Sequence, residues 1–314
     1  MKRLLIGSFL IILGMFIATG CTKNVFFQAS FLHMSNDTTT DIVHSKKIGN
    51  YKITIYYPNT LRPANGWPIL YLLDGDSVFA QAVATVKRQN HQAIIVAIDY
   101  PDKTRRELDY LPHPPELTLE ILSNGKINIP DAYGGADNFL AFMQNELKPA
   151  LAQRFEIDPS KQIVFGHSIG GLWVLHTLFT QPITFNYYIA SSPSIWFSDR
   201  YILQEAVQFI KQYQKTELTK PIDLSISVGE FEQSLSGREL FSSDNQRQLR
   251  LQHLQNRRMV DNIQELEGLL TKANVAKLSL YYQIYLNQTH QTVAVEVLND
   301  RIAYLLHSFS EEYQ

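Results

Sequence analysis

The chain has 314 residues, 45% hydrophobic and 18% charged, a balance that buries a sizeable core and excludes a disordered polymer. Lys and Arg number 28 against 30 acidic residues, a net charge of -2 with no long basic run. The electrostatic footprint that a phosphate backbone requires is missing, so nucleic acid is not an expected partner.

The chain opens on a targeting segment. "MKR" precedes the apolar run "LLIGSFLIILGMFIATG" and then Cys21, the only cysteine. A basic start, an apolar stretch of roughly 14 residues and small residues before the break describe a secretory signal, short of the roughly 20 residues of a membrane span. "ATGC", Ala18 to Cys21, resembles a bacterial lipobox with alanine in place of the usual leucine. That resemblance implies a signal peptide over residues 1–20, cleavage before Cys21 and diacylation of its sulfur. Thr22, where inner-membrane retention would call for aspartate, points by the same resemblance to an outer-membrane anchor facing the periplasm. The competing expectation is an ordinary secretory signal or an uncleaved anchor. A single cysteine excludes an internal disulfide. Residues 21–40 lack a sustained period and read as a lipidated tether, leaving 41–314 as the folded domain.

Strand-like and helix-like runs then alternate. "YKITIYYP" has period two, whereas "WPILYLLDGD" and "QAIIVAIDY" are nearly continuous apolar runs, as in strands buried on both faces. "DNFLAFMQNELKPALAQRF" has helical spacing, followed by "QIVFG" as strand, "GGLWVLHTLFT" as helix, "FNYYIAS" as strand, "RYILQEAVQFIKQY" as helix and "IDLSISVG" as strand. One long polar helix is expected from about Asn245 to Lys272, then strand "KLSLYYQIYL" and a closing helix from Thr292. Such alternation calls for an α/β fold: a mostly parallel central sheet flanked by helices on both faces. Ligands in such sheets bind beyond the carboxyl ends of the strands.

"GHSIG", Gly166 to Gly170, falls at such an end, after a strand and opening a helix. G-x-S-x-G in that setting is a nucleophile elbow, a turn so tight that Cβ atoms two residues either side of the serine are expected to collide. It presents the Ser168 hydroxyl at a helix N-terminus, where the Ile169 N–H faces an oxyanion on the attacked carbonyl. Serine needs a base, most often histidine. The order Ser, acid, His of this fold class leaves His253, His290 and His307. His253 and His307 sit in helices, while His290 lies in the loop "LNQTHQT" directly after a buried strand and is the expected base. His167 and His176 read as packing or satisfied structural histidines, His167 because consecutive strand residues point to opposite faces. The acid should follow the preceding strand, where "SISVGEFEQ" offers Glu230 and Glu232, with Glu232 preferred for its reach. A Ser–His pair without an acid is the alternative. A second oxyanion donor is expected from the turn "LLDGDS", with Gly75 close to substrate and the Asp76 N–H as donor. No histidine and acid cluster has ligand spacing, so neither metal nor other cofactor is implied.

With these pieces in order, the chain from Gly49 onward resembles the esterase D-like α/β-hydrolases, in particular their siderophore (ferric enterobactin and trilactone) esterase branch. The resemblance is carried by "YLLDGDSVF", "YGGADNFLAFMQNELKPAL", "FEIDPSKQIVFGHSIGGLWVLHTLF", "YYIASSPSIWF", "SVGEFEQ" and the His290 loop. It implies catalytic roles for Ser168, His290 and the Glu230/Glu232 segment, with an oxyanion hole from the Asp76 and Ile169 N–H groups. It further implies that Trp196 borders the acyl site and that Arg105 or Arg106, in "DKTRRELDYLP", clamps an anionic catecholate. Surface ion pairs with Glu107 and Asp109 are the other expectation for those arginines. The polar segment "SLSGRELFSSDNQRQLRLQHLQNRR" carries no substrate signature. The expected function is a lipid-anchored serine esterase acting through an acyl-enzyme, with a ferric siderophore as the leading small-molecule ester. A general carboxylesterase or carbohydrate acyl esterase is the alternative among enzymes, and a non-catalytic ligand-binding lipoprotein the alternative of another class.

Overall fold

The computed structural model describes residues 37–311, apart from 46, 89–91, 123 and 238. The first half runs β1 (Thr38–Ser45), β2 (Gly49–Tyr56), β3 (Trp67–Leu73), α1 (Phe79–Arg88), β4 (Ile94–Asp99), α2 (Arg106–Tyr110), a hairpin of β5 (Glu120–Ile121) and β6 (Ile127–Asn128), α3 (Ala136–Phe142) and α4 (Lys148–Arg154). The second half runs β7 (Ile157–His167), α5 (Ile169–Thr180), β8 (Tyr187–Ser191), α6 (Phe197–Tyr213), β9 (Ile222–Gly229), α7 (Asp244–Arg257), α8 (Met259–Ala273), β10 (Leu278–Tyr285) and α9 (Val293–Glu311). Eight strands form one sheet in the order β1-β2-β4-β3-β7-β8-β9-β10. β2 pairs antiparallel with β1 and β4, and every other pairing is parallel, as expected for the α/β class.

Every residue of β3 and β4 is buried, because helices cover both faces of the sheet. Ile69, Tyr71 and Leu73 face one core with Phe139, Trp173 and Leu266. Leu70 and Leu72, pointing the other way, meet Val86 of α1 and Val297, Leu298 and Ile302 of α9. A slip of one residue would exchange the two sets, so the continuous apolar runs fix the layers. α5 is buried from Ile169 to Phe179, the property of a core helix apolar on all sides. At its centre Trp173 meets Phe139 edge-on at 5.0 Å, and its Nε1–H donates to the Ala136 carbonyl at 3.1 Å.

Three features depart from the sequence pattern. β1 begins at Thr38, inside the expected tether, with polarity inverted at two positions: Asp41 is buried and paired with Arg154 at 2.9 Å, while Ile42 points outward. The long polar helix is two helices, broken where Arg258 adopts φ 49°. The β5–β6 hairpin has too few residues to show a period. The signal segment and Cys21 lie outside the described residues.

From β3 the chain steps outward to β4 and later returns to β7 on the other side of β3. This reversal opens a crevice at the carboxyl ends of β3 and β7. The turns after β3, β7, β9 and β10 carry Asp76, Ser168, Glu232 and His290, all at the same end of the sheet.

Candidate active site

Ser168 joins β7 to α5 at φ 60°, ψ -121°, a strained conformation for a residue with a side chain. The tightness is set by Gly166, where a Cβ would lie 2.3 Å from the Gly170 carbonyl oxygen. Gly170 itself is less constrained than expected, since its Cβ would reach Asp74 Oδ2 only at 3.4 Å. The second crowded position is Gly171, where a Cβ would lie 2.9 Å from the Ser191 carbonyl oxygen and 3.1 Å from Pro193 Cα. Gly166 makes the elbow, and Gly171 admits the segment after β8 to its base.

His290 Nε2 lies 3.0 Å from Ser168 Oγ, and Nδ1 lies 2.6 Å from Glu232 Oε2. Glu232 is 1% exposed, and its Oε1 accepts from Ser192 Oγ at 2.5 Å and from the Gly229 N–H at 2.7 Å. An ionised carboxylate only accepts hydrogen bonds, so the imidazole proton belongs on Nδ1 and the Nε2 lone pair faces the serine hydroxyl. Such an arrangement can remove the hydroxyl proton as Oγ bonds to an electrophile. The structure brings Glu232, not Glu230, to the imidazole. Glu230 Oε2 accepts from the Asn287 N–H at 2.7 Å, and the Phe231 N–H donates to the Gln288 carbonyl at 2.9 Å. Glu230 thus braces the loop that carries His290.

The other two histidines divide. His176 is buried, with Nδ1 2.8 Å from Glu205 Oε2 and Nε2 3.2 Å from Asp137 Oδ1, a satisfied structural group. His167 lies nearer the site than strand alternation predicts: its ring centroid is 4.5 Å from that of His290, and Nδ1 is 3.1 Å from Ser191 Oγ. The strand ends in a sharp elbow there, and alternation ends with it. Burial, aided by the neighbouring His290 and Arg106, pushes His167 down to about 3 and keeps it neutral.

The expected oxyanion turn is corrected in part. The Asp76 N–H donates to Asp99 Oδ2 on β4 at 2.5 Å, so that hydrogen bond goes to a carboxylate rather than to a substrate oxygen. A Cβ on Gly75 would lie 2.3 Å from Ala97 Cβ, so this glycine lets the turn pack on β4, not on a ligand. Ile169 opens α5, where no intrahelical carbonyl exists for its N–H and the helix dipole is positive. Its N–H is thus a backbone donor beside Ser168.

A cavity of about 390 Å³ adjoins Ile169, with Leu111, Leu117, Trp196, Glu120 and Arg257 in its lining. The Arg257 guanidinium lies 4.2 Å from the Trp196 ring centroid, and its Nε and Nη2 donate to Glu120 Oε1 and Oε2 at 2.6 Å and 2.9 Å. Neither Arg105 nor Arg106 lines this cavity. Arg106 forks onto Asp74 at 3.0 Å and 2.8 Å, and Arg105 lies over the Tyr51 and Tyr100 rings, 3.5 Å from Asp109. Arg106 thus gives its donors to Asp74, and Arg105 is held against the tyrosine rings and Asp109, away from this cavity. Arg257, which supplies the cation, comes from the polar segment without a signature. Its partner Glu120 is 137 positions away, so no local pattern could have singled it out. Among the described residues no group of His, Cys, Asp or Glu side chains is placed to hold a metal ion.

A family model described as "Putative esterase" matches residues 45–268. The chain belongs to this esterase family. It is an α/β-hydrolase and a serine-type carboxylic ester hydrolase. Relatives include the siderophore enterobactin esterase of Emericella nidulans, 33% identical over 285 residues that span 84% of this chain and 91% of the relative. The ferri-bacillibactin esterase BesA of Bacillus subtilis is 35% identical over 211 residues, 63% of this chain and 71% of the relative. Among solved structures, siderophore hydrolase EstA from Aspergillus nidulans superposes with a TM-score of 0.77 at 29% identity, covering 89% of this chain and 99% of that one.

Proposed function

We propose that this esterase hydrolyses the ester bonds of trilactone-type siderophores, with Ser168 as nucleophile, His290 as general base and acid, and Glu232 as the carboxylate that orients the imidazole. The observation that carries the reading is the unbroken chain from Ser168 Oγ through His290 to Glu232, at 3.0 Å and 2.6 Å, beside the cavity at Ile169. Oγ bonds to the ester carbon as its proton passes to Nε2, and the imidazolium forms against Glu232. The carbonyl oxygen becomes an oxyanion facing the Ile169 N–H. Collapse expels the alcohol, which takes the Nε2 proton, and water repeats the cycle on the acyl-enzyme. Trp196, with the Arg257 guanidinium on its ring, gives the cavity an aromatic and cation–π surface, chemistry that suits an aromatic acyl group.

Incubation with ferric enterobactin and with p-nitrophenyl acetate tests the reading: both are expected to be cleaved, and cleavage of the acetate alone removes the siderophore assignment. A fluorophosphonate is expected to label the protein and not Ser168→Ala. Lipidation at Cys21, with an outer-membrane anchor facing the periplasm, is part of the same proposal. It is supported by the basic, apolar and small-residue order of residues 1–21. Incorporation of radiolabelled palmitate that is lost in Cys21→Ser is the expected result.

A further inference from the structure

Ser168 Oγ carries one hydrogen, and the His290 lone pair receives it. A second hydroxyl, Ser194 Oγ, lies 3.3 Å from the same oxygen. With the Ser168 proton already given to Nε2, Ser194 is the donor of this pair. It is 1% exposed, so no competing bulk water surrounds it, and its N–H donates to the Ser168 carbonyl at 3.0 Å. The segment that carries it is anchored throughout: Ser191 Oγ meets His167, Ser192 Oγ donates to Glu232, and the Ser192 N–H donates to the Ser227 carbonyl at 2.7 Å. Ser192 holds φ 44°, and Gly171 leaves the space that lets the segment reach the elbow.

We infer that Ser194 is a further catalytic residue, donating a hydrogen bond to Ser168 Oγ whenever that atom carries negative charge. The inference rests on the roles proposed above for Ser168 and His290. During attack the Oγ–C bond forms while the Ser168 proton moves to His290 Nε2. During breakdown of the acyl-enzyme the Oγ–C bond breaks, Oγ keeps the electron pair and takes the proton back from Nε2. Ser194 keeps its own proton in both steps and forms no covalent bond. A hydrogen bond to a charged oxygen is stronger than one to a neutral hydroxyl, so the transition states gain more than the resting enzyme.

The test compares wild type with Ser194→Ala, Ser194→Thr and Ser194→Cys in two assays: the second-order rate of fluorophosphonate labelling, and kcat and KM for p-nitrophenyl acetate. Loss of the donor in Ser194→Ala is expected to lower the labelling rate and kcat together by about ten- to a hundredfold, with KM within about twofold. Threonine, which keeps the hydroxyl, is expected to be the most active of the three variants, and cysteine, a weak donor of similar size, to resemble alanine. Wild-type rates in Ser194→Ala, or equal losses in all three, would overturn the inference. Should the alanine variant fail to fold, the order of threonine over cysteine decides, and cysteine matching or exceeding threonine overturns it. A wild-type protein that is not labelled at all refutes the nucleophile assignment instead, a separate outcome.

Discussion

Ser192 Oγ donates to Glu232 Oε1 at 2.5 Å, on the carboxylate oxygen that does not meet His290. With the Gly229 N–H on that oxygen as well, the carboxylate cannot rotate without breaking two bonds in a buried site. In Glu232→Gln the amide oxygen would keep those two donors, which turns the amide N–H toward Nδ1 and favours the wrong imidazole tautomer. A fall in kcat of about a thousand- to ten-thousandfold is expected on p-nitrophenyl acetate. Ser192→Ala removes one donor of two, so a loss of about tenfold is expected in the same assay.

Asp99 is held by burial, with the charge of Asp76 beside it, at about 7 instead of the usual carboxylate range. The folded protein therefore binds this proton more tightly than the unfolded chain. That contribution to stability is fully present below about pH 4 and is lost as pH rises through 7. Asp99→Asn cannot ionise and still offers an oxygen to the Asp76 N–H. Thermal unfolding midpoints measured from pH 4 to 7 are expected to decline less in the variant than in wild type.

His176 acts in the next window. Burial opposes its charge, but hydrogen bonds to Asp137 and Glu205 outweigh that and raise it to about 9. A raised histidine stabilises the fold fully below about pH 6.5 and loses that contribution as pH climbs through 9, on the order of 3 kcal/mol across the window. The group ties α5 to Asp137 on α3 and Glu205 on α6. Glu205→Gln removes the nearer acid, so its unfolding midpoint is expected to change less than that of wild type between pH 6.5 and 9.

Sequence pattern revealed the sheet because the central strands β3 and β4 are buried on both faces and write themselves as apolar runs. It also located the elbow, which follows the buried end of β7, and the His290 loop, although β10 before that loop is an edge strand only partly buried and not the buried strand its apolar run predicts. It failed where a position depends on a partner distant in the chain. β1 hides behind Asp41, whose burial requires Arg154, and nothing near Asp76 announces that Asp99 will receive its N–H. Ser192 and Ser194 stand in plain view in "SSPS", yet a hydroxyl acquires a role only from what it touches after folding. Arg105 and Arg106 drew attention as adjacent cations, while the cation that lines the cavity, Arg257, waits on Glu120 and Trp196.

Glu120 holds the Arg257 fork, and the guanidinium covers the Trp196 ring at 4.2 Å, so the α7 terminus and the β5–β6 hairpin are linked across the cavity. A guanidinium stacked on one aromatic face can offer its other face to a substrate ring, and a desolvated cation–π contact is worth about 2 kcal/mol or more. Arg257→Met keeps much of the side-chain volume and removes the charge, leaving Glu120 with the Asn128 amide at 2.8 Å but no cation. For an aromatic acyl ester such as p-nitrophenyl benzoate, KM is expected to rise about ten- to thirtyfold. The acetate, which has no aromatic acyl group to stack, should show a smaller rise. Steady-state kinetics on the two esters check this: equal changes in KM would mean that Arg257 only holds the hairpin in place, while a selective rise for the aromatic ester locates its acyl group against the Trp196–Arg257 stack.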